Sequence, residues 1–322
     1  MNIWQELKTK HQPFFVLAPM DDVTDTVFRQ IVAKHAPADL MMTEFANADG
    51  YCSEGKPAIM KRLALSPKEG PVVAQIWGVE PKNYQAMAGD MAGLGFVGVD
   101  INMGCPIKDM IKKGACSAMI QNPELANAAI AATKKGTKGK IPVSVKTRIG
   151  FNKIDTQSWI GNLLEQNLDA IIIHGRTRKE MSKVPAHWDE VKKAVALRDK
   201  IAPNTVIIGN GDVMSRQQGI ELAKDTGVDG IMIGRGIFQD LFVFEKIKKN
   251  HTPKEMLGIL LEHITLYEKQ WGAERSYEPL KKFYKIYING FDGASEIRAD
   301  IMNTKSTVEG KKFVEDLLKR VE

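Results

Sequence analysis

The sequence predicts an α/β protein, namely a (β/α)8 TIM barrel followed by a small all-α helical-bundle domain. Eight short apolar segments alternate with segments of helical periodicity between residues 14 and 250. Such alternation over about 240 residues is typical of a closed barrel. The strand pattern then stops, and amphipathic segments follow to the end. An open doubly wound sheet is the alternative, because one sequence does not establish closure.

Each predicted strand is a short apolar run bounded by Gly, Pro or polar residues, which is the usual strand signal. The runs start at regular intervals along the first 250 residues. They cover residues 14–18, 40–43, 72–76, 99–103, 143–146, 170–174, 205–209 and 230–234.

The segments between these runs carry helix start and stop signals. Thr24 is predicted to cap the first barrel helix. Asn122, followed by a proline, suits the N-cap of another helix, which Gly136 would end. Ser215 begins a capping box, and Gly227 suits the position after that helix.

The last part of the chain is predicted to be a helical domain of residues 251–322, after a barrel domain of residues 1–250. Thr252 begins a capping box with proline at the first helical position. Apolar residues then recur at helical spacing without a strand signal. The four apolar faces lie within residues 256–264, 280–287, 294–301 and 313–318.

The composition is that of an average globular protein, with 43% hydrophobic and 26% charged residues among 322. No apolar run reaches about 18 residues, so no membrane span is expected, and the polar N-terminus does not resemble a signal peptide. Three cysteines without a Cys-X-X-Cys pair argue against a disulfide framework or a metal site and favour the cytoplasm. A net charge of +6 is compatible with a polyanionic partner but does not identify one.

Cys105 is predicted to lie where the fourth strand ends. Apolar and polar residues alternate over residues 99–103, and Pro106 cannot extend a ladder because it lacks an N–H. Several lysines follow closely. Exposure and nearby cations make a cysteine reactive, whereas a buried structural cysteine is the alternative. This segment alone leaves both interpretations open.

Other candidate residues lie at the carboxyl ends of predicted strands, where barrels place their functional groups. Glycines after the seventh and eighth strands would allow a phosphate to approach, with Arg235 adding a charge; simple tight turns are the alternative. Lys146 lies within an apolar strand and needs a partner, either a ligand or a carboxylate such as Asp100. His174 precedes an arginine-rich segment that suits an anionic substrate, unless it is a core histidine.

Taken together, these segments resemble the tRNA-dihydrouridine synthase family. The region from Arg275 to Arg298 also resembles the helical domain of that family. Two features depart from the family pattern: Asp21-Asp22 replaces small residues, and Cys116 stands where a glycine is usual. The matching segments, in the order of the family, are LAPM (17–20), VTD (23–25), DINMGCP (100–106), VKTR (145–148), HGRTR (174–178), IGNGD (208–212) and MIGRG (232–236).

The resemblance implies an FMN-dependent oxidoreductase that reduces the C5=C6 bond of specific uridines in tRNA, with NADPH or NADH as reductant. Cys105 would be the general acid that protonates C5. Neither a metal nor a protein partner is implied, and a monomer is expected. The resemblance also implies which residues would bind FMN, namely Pro19, Met20, Asp21, Gln75, Lys146, His174, Asn210, Gly211, Asp212, Gly234 and Arg235.

By the same resemblance, Asn102, Arg148, Arg176 and Arg178 would contact the uracil and phosphate side of the substrate, and His174 would also border it. In the helical domain, a lysine cluster expected on one helix would contact tRNA, although a solvated helix surface is the alternative. The cluster comprises Lys281, Lys282 and Lys285, and Arg298, near the third apolar face, is also expected to bind tRNA.

The implied chemistry agrees with these residue types. Uracil is electron-poor at C6, so hydride delivered there leaves charge at C5 and O4 that requires a proton. An unperturbed thiol is largely protonated at neutral pH and can supply it. Two other functions are weighed: an FMN barrel for a free pyrimidine, such as a dihydroorotate dehydrogenase, and a flavin-free RNA-binding protein. Residues 252–322 count against the first, and the polar strand ends against the second.

Overall fold

The computed structural model describes residues 1–320, apart from the side chain of Ala273. Eight parallel strands pair in sequence order and close into a barrel, which confirms the predicted (β/α)8 fold and excludes the open sheet. The strands are β1 (Phe14–Leu17), β2 (Leu40–Asn47), β3 (Val72–Trp77), β4 (Gly98–Met103), β5 (Val143–Arg148), β6 (Ala170–His174), β7 (Val206–Asn210) and β8 (Gly230–Ile233).

Every predicted strand is present, and its start agrees with the prediction within one residue. β2 is longer than expected because the polar Glu44 does not end it. The pairing of β2 with β3 is irregular between Met42 and Phe45, and Glu44 is buried there with Arg62 as its ion-pair partner. A buried, paired carboxylate can therefore lie inside a strand whose apolar run has already stopped.

Helices cover the outside of the barrel and form the last part of the chain. Those of the barrel region are α1 (Ile3–Lys10), α2 (Thr26–His35), α3 (Ala48–Tyr51), α4 (Lys56–Arg62), α5 (Pro81–Met91), α6 (Lys108–Lys112), α7 (Pro123–Thr137), α8 (Gly161–Glu165), α9 (Trp188–Ile201) and α10 (Arg216–Thr226). The later ones are α11 (Pro253–Trp271), α12 (Glu278–Lys281), α13 (Tyr284–Tyr287), α14 (Ala294–Met302) and α15 (Thr307–Leu318).

The predicted caps of α7, α10 and α11 are confirmed, because the side chains of Asn122, Ser215 and Thr252 accept from the expected N–H groups. The cap predicted for α2 is wrong. Asp25 is its N-cap and accepts from the Phe28 N–H at 2.9 Å. Thr24 instead bonds the backbone of the preceding loop.

Gly136 does not end α7, contrary to the prediction. The helix continues through it to Thr137, and Lys138 ends it with φ +51°. A Cβ on Gly136 would lie 2.3 Å from the carbonyl oxygen of Gln85 in α5. The glycine is therefore required by close helix–helix packing, not by a helix stop.

The strands place alternate residues inside and outside the barrel. Phe14, Val16 and Ile172 belong to an interior cluster, whereas Phe15 and Ile171 face the surrounding helices. Residues of α1 join the interior cluster, so this helix covers the N-terminal end of the barrel. The cluster includes Trp4, Leu7, Leu40, Met42, Val73, Ala170, Val206, Ile208 and Met232.

The helical region packs against α2 of the barrel. The ring of Phe28 lies 4.7 Å from that of Phe283 and 5.8 Å from that of His263, measured between centroids. His263 bonds the Tyr287 hydroxyl at 2.8 Å. Burial lowers the pKa of His263 to about 3, so it is neutral in this apolar contact. Within residues 1–320, no helix is long and apolar enough to cross a bilayer.

Candidate functional site

The strand register brings polar strand ends to one level of the barrel. Arg148 of β5 pairs with His174 of β6, and His174 pairs with Asn210 of β7. On the other side of β5, Lys146 pairs with Asn102 of β4. Because parallel strands share one carboxyl edge, residues distant in sequence meet there.

A cleft opens at this edge, beside β1 and β5 to β8. Gln75 and Asp21, two residues carried over to FMN, are not among its lining residues: Gln75 is fully buried in the barrel, and exposed Asp21 pairs with Arg62. The remaining members of that set do line the cleft, namely Pro19, Met20, Lys146, His174, Asn210, Gly211, Asp212, Gly234 and Arg235.

Lys146 extends from the apolar strand β5 into this cleft. Its ammonium group donates to Asn210 Oδ1 at 3.2 Å, and the Asn210 amide donates to the carbonyl of Met232 at 2.9 Å. Burial lowers the pKa of Lys146 to about 8; Arg148 acts in the same direction, and Asp100 opposes them. Lys146 is thus held at the cleft by a neutral partner.

Two glycines of the cleft are required by its geometry. Gly211 has φ +136°, and a Cβ there would lie 2.7 Å from Ala186 Cβ. A Cβ on Gly236 would lie 2.5 Å from the carbonyl oxygen of Val213. Both glycines therefore allow tight packing of the loops, and both also border the cleft with backbone alone.

The carboxylate of Asp212 pairs with two arginines at the cleft. It accepts from Arg176, from the Ala186 N–H at 3.0 Å and from Arg235 at 3.3 Å. Burial raises the pKa of Asp212, but the bonds from Arg176 and Ala186 outweigh it and hold the pKa below its usual value. Arg235 keeps 59% of its side chain exposed, so an anion in the cleft can reach it.

Gln75 and Asn102 belong to a buried network inside the barrel. Gln75 donates to Asp100 at 2.7 Å and accepts from the Asn102 amide at 3.0 Å. Ser144 donates to the other oxygen of Asp100 at 2.7 Å. Burial raises the pKa of Asp100 to about 6, against the effect of these bonds. In the described chain Asp100 is bonded by Gln75 and Ser144, and Lys146 by Asn210, so the alternative of a salt bridge between Asp100 and Lys146 is not observed there.

Cys105 lies just beyond the end of β4 and is fastened through its backbone. Asn102 Oδ1 accepts from the N–H groups of Gly104 and Cys105 at 3.1 and 3.0 Å. The Cys105 carbonyl accepts from the Ser117 hydroxyl at 2.7 Å. The residue remains partly exposed, which favours the reactive interpretation over a buried structural cysteine.

Cys116 contacts Cys105 and changes its acidity. The Cys116 side chain, together with the Ile107 N–H and Arg148, lowers the pKa of Cys105 to about 7 although burial opposes it. The Cys116 S–H itself donates to the Met110 sulfur at 3.7 Å. The contact with Cys105 and full burial raise the pKa of Cys116 well above its usual value. Cys116 has φ +55°, in the left-handed region that favours glycine. The left-handed backbone explains why a glycine is usual at this position. The side chain that Cys116 has in place of a glycine makes Cys105 more acidic than an unperturbed thiol.

Two of the predicted substrate arginines lie next to cleft residues, since Arg148 pairs in register with His174 and Arg176 contacts His174 and Asp212. Arg148 donates to the carbonyl of Gly104 at 2.7 Å, and Arg176 donates to that of Val184 at 2.5 Å. Both arginines are buried and join neighbouring loops. Arg178 is less buried, and its guanidinium lies 5.1 Å from the centre of the Phe151 ring. Contact of these arginines with substrate stays a prediction.

A charged cluster joins the loop after β1 to the helical region. Oxygens of Asp21, Asp22 and Glu44 lie within 4.8 Å of one another. Arg62 pairs with Asp21 and Glu44, and Arg275 pairs with Asp22 at 3.1 Å. Burial raises the pKa of Glu44, with the two arginines acting against it. Arginines therefore offset the charge of the unusual Asp21-Asp22 pair.

The predicted lysine cluster does not lie on one helix, contrary to expectation. Lys281 ends α12, Lys285 lies in α13, and Lys282 stands between them. Lys281 is only 9% exposed and pairs with Glu278 at 2.8 Å. Lys282 donates to the backbone carbonyl of Asp22 at 2.9 Å, while both it and Lys285 are exposed. Only the latter two present accessible charge.

Arg298 lies on α14 and is partly buried. Its guanidinium donates to the carbonyl of Ile288 at 2.6 Å, which fastens the segment before the helix. A role in tRNA binding stays a prediction for this residue.

Several residues of the cleft were not assigned from sequence. Met232 belongs to a segment that matches the family and lies near the end of β8, which could have indicated its place in the cleft. It was not assigned because an apolar residue within a strand is usually part of the core. Val213 and Met214 directly follow the glycine-containing loop after β7. These missed residues are Ala18, Val213, Met214, Met232 and Gly236.

The fold resembles that of solved enzyme structures. A morphinone reductase mutant in complex with tetrahydroNAD matches 76% of this chain and 89% of its own, with a TM-score of 0.52 and 11% identity. Histamine dehydrogenase from Rhizobium sp. 4-9 matches 78% of this chain and 48% of its own, with a TM-score of 0.54 and 12% identity. At such low identity these matches show a shared barrel fold.

Sequence comparison is more specific. The chain is 46% identical over 324 residues to a probable tRNA-dihydrouridine synthase of Staphylococcus epidermidis, covering all of this chain and 98% of that protein. It is 47% identical over 318 residues to probable tRNA-dihydrouridine synthase 2 of Bacillus subtilis, covering 98% and 96%. The family model for dihydrouridine synthases matches residues 16–322. As the strand-end segments predicted, the chain belongs to the dihydrouridine synthase family.

Proposed function

We propose that this protein is a tRNA-dihydrouridine synthase that reduces the C5=C6 bond of uridines, with FMN as cofactor, NADPH or NADH as reductant and Cys105 as general acid. The family and the names of the relatives support tRNA as the substrate class. One observation carries the chemical proposal: β4 and β5 pair Asn102 with Lys146, so Cys105 lies beside the cleft that Lys146 enters.

The residues of the cleft fit FMN. Gly211 and Gly236 border it with backbone alone, so no side chain at these positions obstructs a ligand. Arg235 presents an exposed guanidinium next to these loops, which suits a phosphate group. Lys146 and Asn210 supply polar atoms on the side of β5 and β7, as a heteroaromatic ring system with several acceptor atoms requires.

Cys105 and Lys146 would act on the uracil. FMN, once reduced, would supply the hydride that C6 receives. Cys105 would give its proton to C5, because the residue is partly exposed and its backbone is fixed by Asn102 and Ser117. Lys146 lies close enough for its charge to interact with Cys105, so it also favours negative charge that develops on the uracil.

Recognition of a folded tRNA requires contacts beyond one base, because the target uridine must leave its stack to reach the cleft. The helical region offers exposed Lys282 and Lys285 near the loop after β1. We therefore propose that residues 251–322 share in tRNA binding. The free thiol that this chemistry needs is compatible with the reducing cytoplasm.

The test is reconstitution of the full chain with FMN. An unmodified tRNA transcript is incubated with the flavoprotein and NADPH, and dihydrouridine is measured by mass spectrometry of the nucleosides. We expect a yellow protein with about one FMN per chain that forms dihydrouridine in tRNA. Protein that cannot bind FMN would contradict the proposal and favour a flavin-free RNA-binding function. Reduction of free uracil, or oxidation of dihydroorotate, without activity on tRNA would favour an enzyme of free pyrimidines.

A further inference from the structure

His174 is the cleft residue whose protonation the structure constrains most. It ends β6, lines the cleft and pairs in register with Asn210. Its Nε2 lies 3.2 Å from Nη1 of Arg176, two residues later in the chain. The Nε2 edge also faces Gly211, because a Cβ there would lie 3.3 Å from His174 Cδ2.

The chemistry of the two side chains determines where the His174 proton lies. A guanidinium has only donors, so Nε2 must accept from Arg176 and must carry a lone pair. A neutral imidazole with an unprotonated Nε2 carries its proton on Nδ1. Protonating Nε2 as well would bring two donors face to face and add a cation beside Lys146 and Arg148. Burial, followed by these cations, keeps the pKa of His174 well below its usual value.

Arg176 is itself held firmly in this orientation. Its side chain is only 3% exposed. Nε donates to the carbonyl of Val184 at 2.5 Å, and Nη2 pairs with Asp212. Asp212 is fixed in turn by the Ala186 N–H at 3.0 Å. Two of the three guanidinium nitrogens are therefore bound to other protein groups, and Nη1 is directed at His174.

We propose that Arg176 is a positioning residue that holds His174 as the neutral Nδ1–H tautomer, so that Nδ1 donates to an acceptor atom of the ligand in the cleft. Within residues 1–320 no protein group accepts from Nδ1, which leaves this donor for a ligand carbonyl oxygen or ring nitrogen. The tautomer follows from the protein alone. Only the identity of the ligand, FMN, rests on the proposed function.

The test is the ring ¹⁵N chemical shifts of His174 in flavin-free protein labelled with ¹⁵N-histidine. The signals are assigned by their loss in His174→Gln. We expect a protonated Nδ1 and an unprotonated Nε2, with little change between about pH 6 and 8, where an ordinary histidine titrates. Protonated Nε2, or titration within that range, would overturn the proposal in the wild-type protein without any variant.

Variants then test the role of Arg176. Arg176→Gln offers a carbonyl that can accept from Nε2–H, so we expect the tautomer population to move toward Nε2–H. Arg176→Lys retains a donor and should keep the Nδ1–H form. Arg198→Gln is the matched control, because Arg198 is a buried arginine in the last turn of α9, paired with Asp229. Unchanged populations in a folded Arg176→Gln protein would overturn the proposal.

FMN affinity provides a second readout. Loss of one hydrogen bond in Arg176→Gln should weaken FMN binding roughly tenfold, with partial recovery in Arg176→Lys. If the wild-type protein binds no FMN but shows the expected tautomer, the proposed function fails and the positioning role stands. If FMN binds and the tautomer differs, only the positioning role fails.

Discussion

The side chain of Asn102 accepts a hydrogen bond from the backbone N–H of Cys105 at 3.0 Å. The other end of the same amide donates to Gln75, which bonds the buried Asp100. The position of the thiol is therefore coupled to a network inside the barrel and does not depend on its loop alone. A general acid gains from such fixation, because proton transfer requires a defined geometry.

Replacing Cys105 tests its role directly. Cys105→Ala should retain FMN and its reduction by NADPH, yet form dihydrouridine about two to four orders of magnitude more slowly, which is the usual effect of removing a general acid. Cys116→Ala should be much milder, since Cys116 is fully buried and its S–H donates to the Met110 sulfur. Single-turnover formation of dihydrouridine measures the effect, and near-normal rates in Cys105→Ala would assign the acid to another group.

The pH dependence should reflect the Cys105–Cys116 contact. A general acid must be protonated, and the pKa of Cys105 is about 7, so the rate of uridine reduction should fall as pH rises through about 7. Cys116→Ala removes the neighbouring side chain that lowers the pKa of Cys105, so this pKa should rise and the falling limb should move to higher pH. Cys116→Ser keeps a donor and should resemble the wild type. Reoxidation of pre-reduced flavoprotein by tRNA measures this step, and identical limbs in Ala and Ser variants would contradict the explanation.

Lys146 should matter for the flavin. Lys146→Met removes the ammonium group that contacts Asn210 at the cleft, so FMN should dissociate more readily or react more slowly with tRNA. Because the pKa of Lys146 is about 8, its charge is present below that pH and is lost above it. FMN content and reoxidation rate are measured together, with exposed Lys153→Met as the control. Wild-type FMN content together with a wild-type reoxidation rate would show that Lys146 is not part of the flavin site.

The exposed lysines of the helical region should contribute to tRNA binding. Lys282→Glu with Lys285→Glu should weaken tRNA affinity and flatten its salt dependence, because each lost phosphate contact lowers the slope by about one. FMN content and NADPH oxidation should not change. Lys200→Glu with Lys224→Glu is the control, since these exposed lysines lie in the last turns of α9 and α10, at the opposite end of the barrel from the carboxyl ends of the strands. Equal losses in both pairs would indicate a nonspecific charge effect, and no loss would locate the contact elsewhere, such as Lys108, Lys112 and Lys113.

Arg275 should stabilise the junction between the barrel and the helical region. It bonds Asp22 and Asp25, and Trp271 also donates to Asp25 at 3.0 Å. Arg275→Ala should lower the free energy of unfolding by about 1–3 kcal/mol, less than for a fully buried pair because the side chain is 21% exposed. Chemical denaturation measures this, with Lys61→Ala as a control for the exposed pair to Glu274. Equal stability of the two variants would show that the Arg275 contacts add nothing.

The sequence by itself determined the barrel, because each strand and helix leaves a local periodic signal that does not depend on distant residues. It also located Cys105, Lys146 and His174 near strand ends. In this fold the carboxyl ends of all strands meet at one face of the barrel, so a position near a strand end predicts a position near the site. The helical region was likewise evident from apolar spacing, although its second segment is divided into α12 and α13.

Tertiary structure alone decided what each of these side chains contacts. Gln75 and Arg176 look equally available in the sequence, yet one is buried in a network and the other bonds His174 and Asp212. The contact of Cys116 with Cys105 depends on a left-handed backbone at Cys116 and on the bonds of Ser117. Partners, exposure and pKa values follow from register and closure, which join residues far apart in the chain, and no local pattern encodes them.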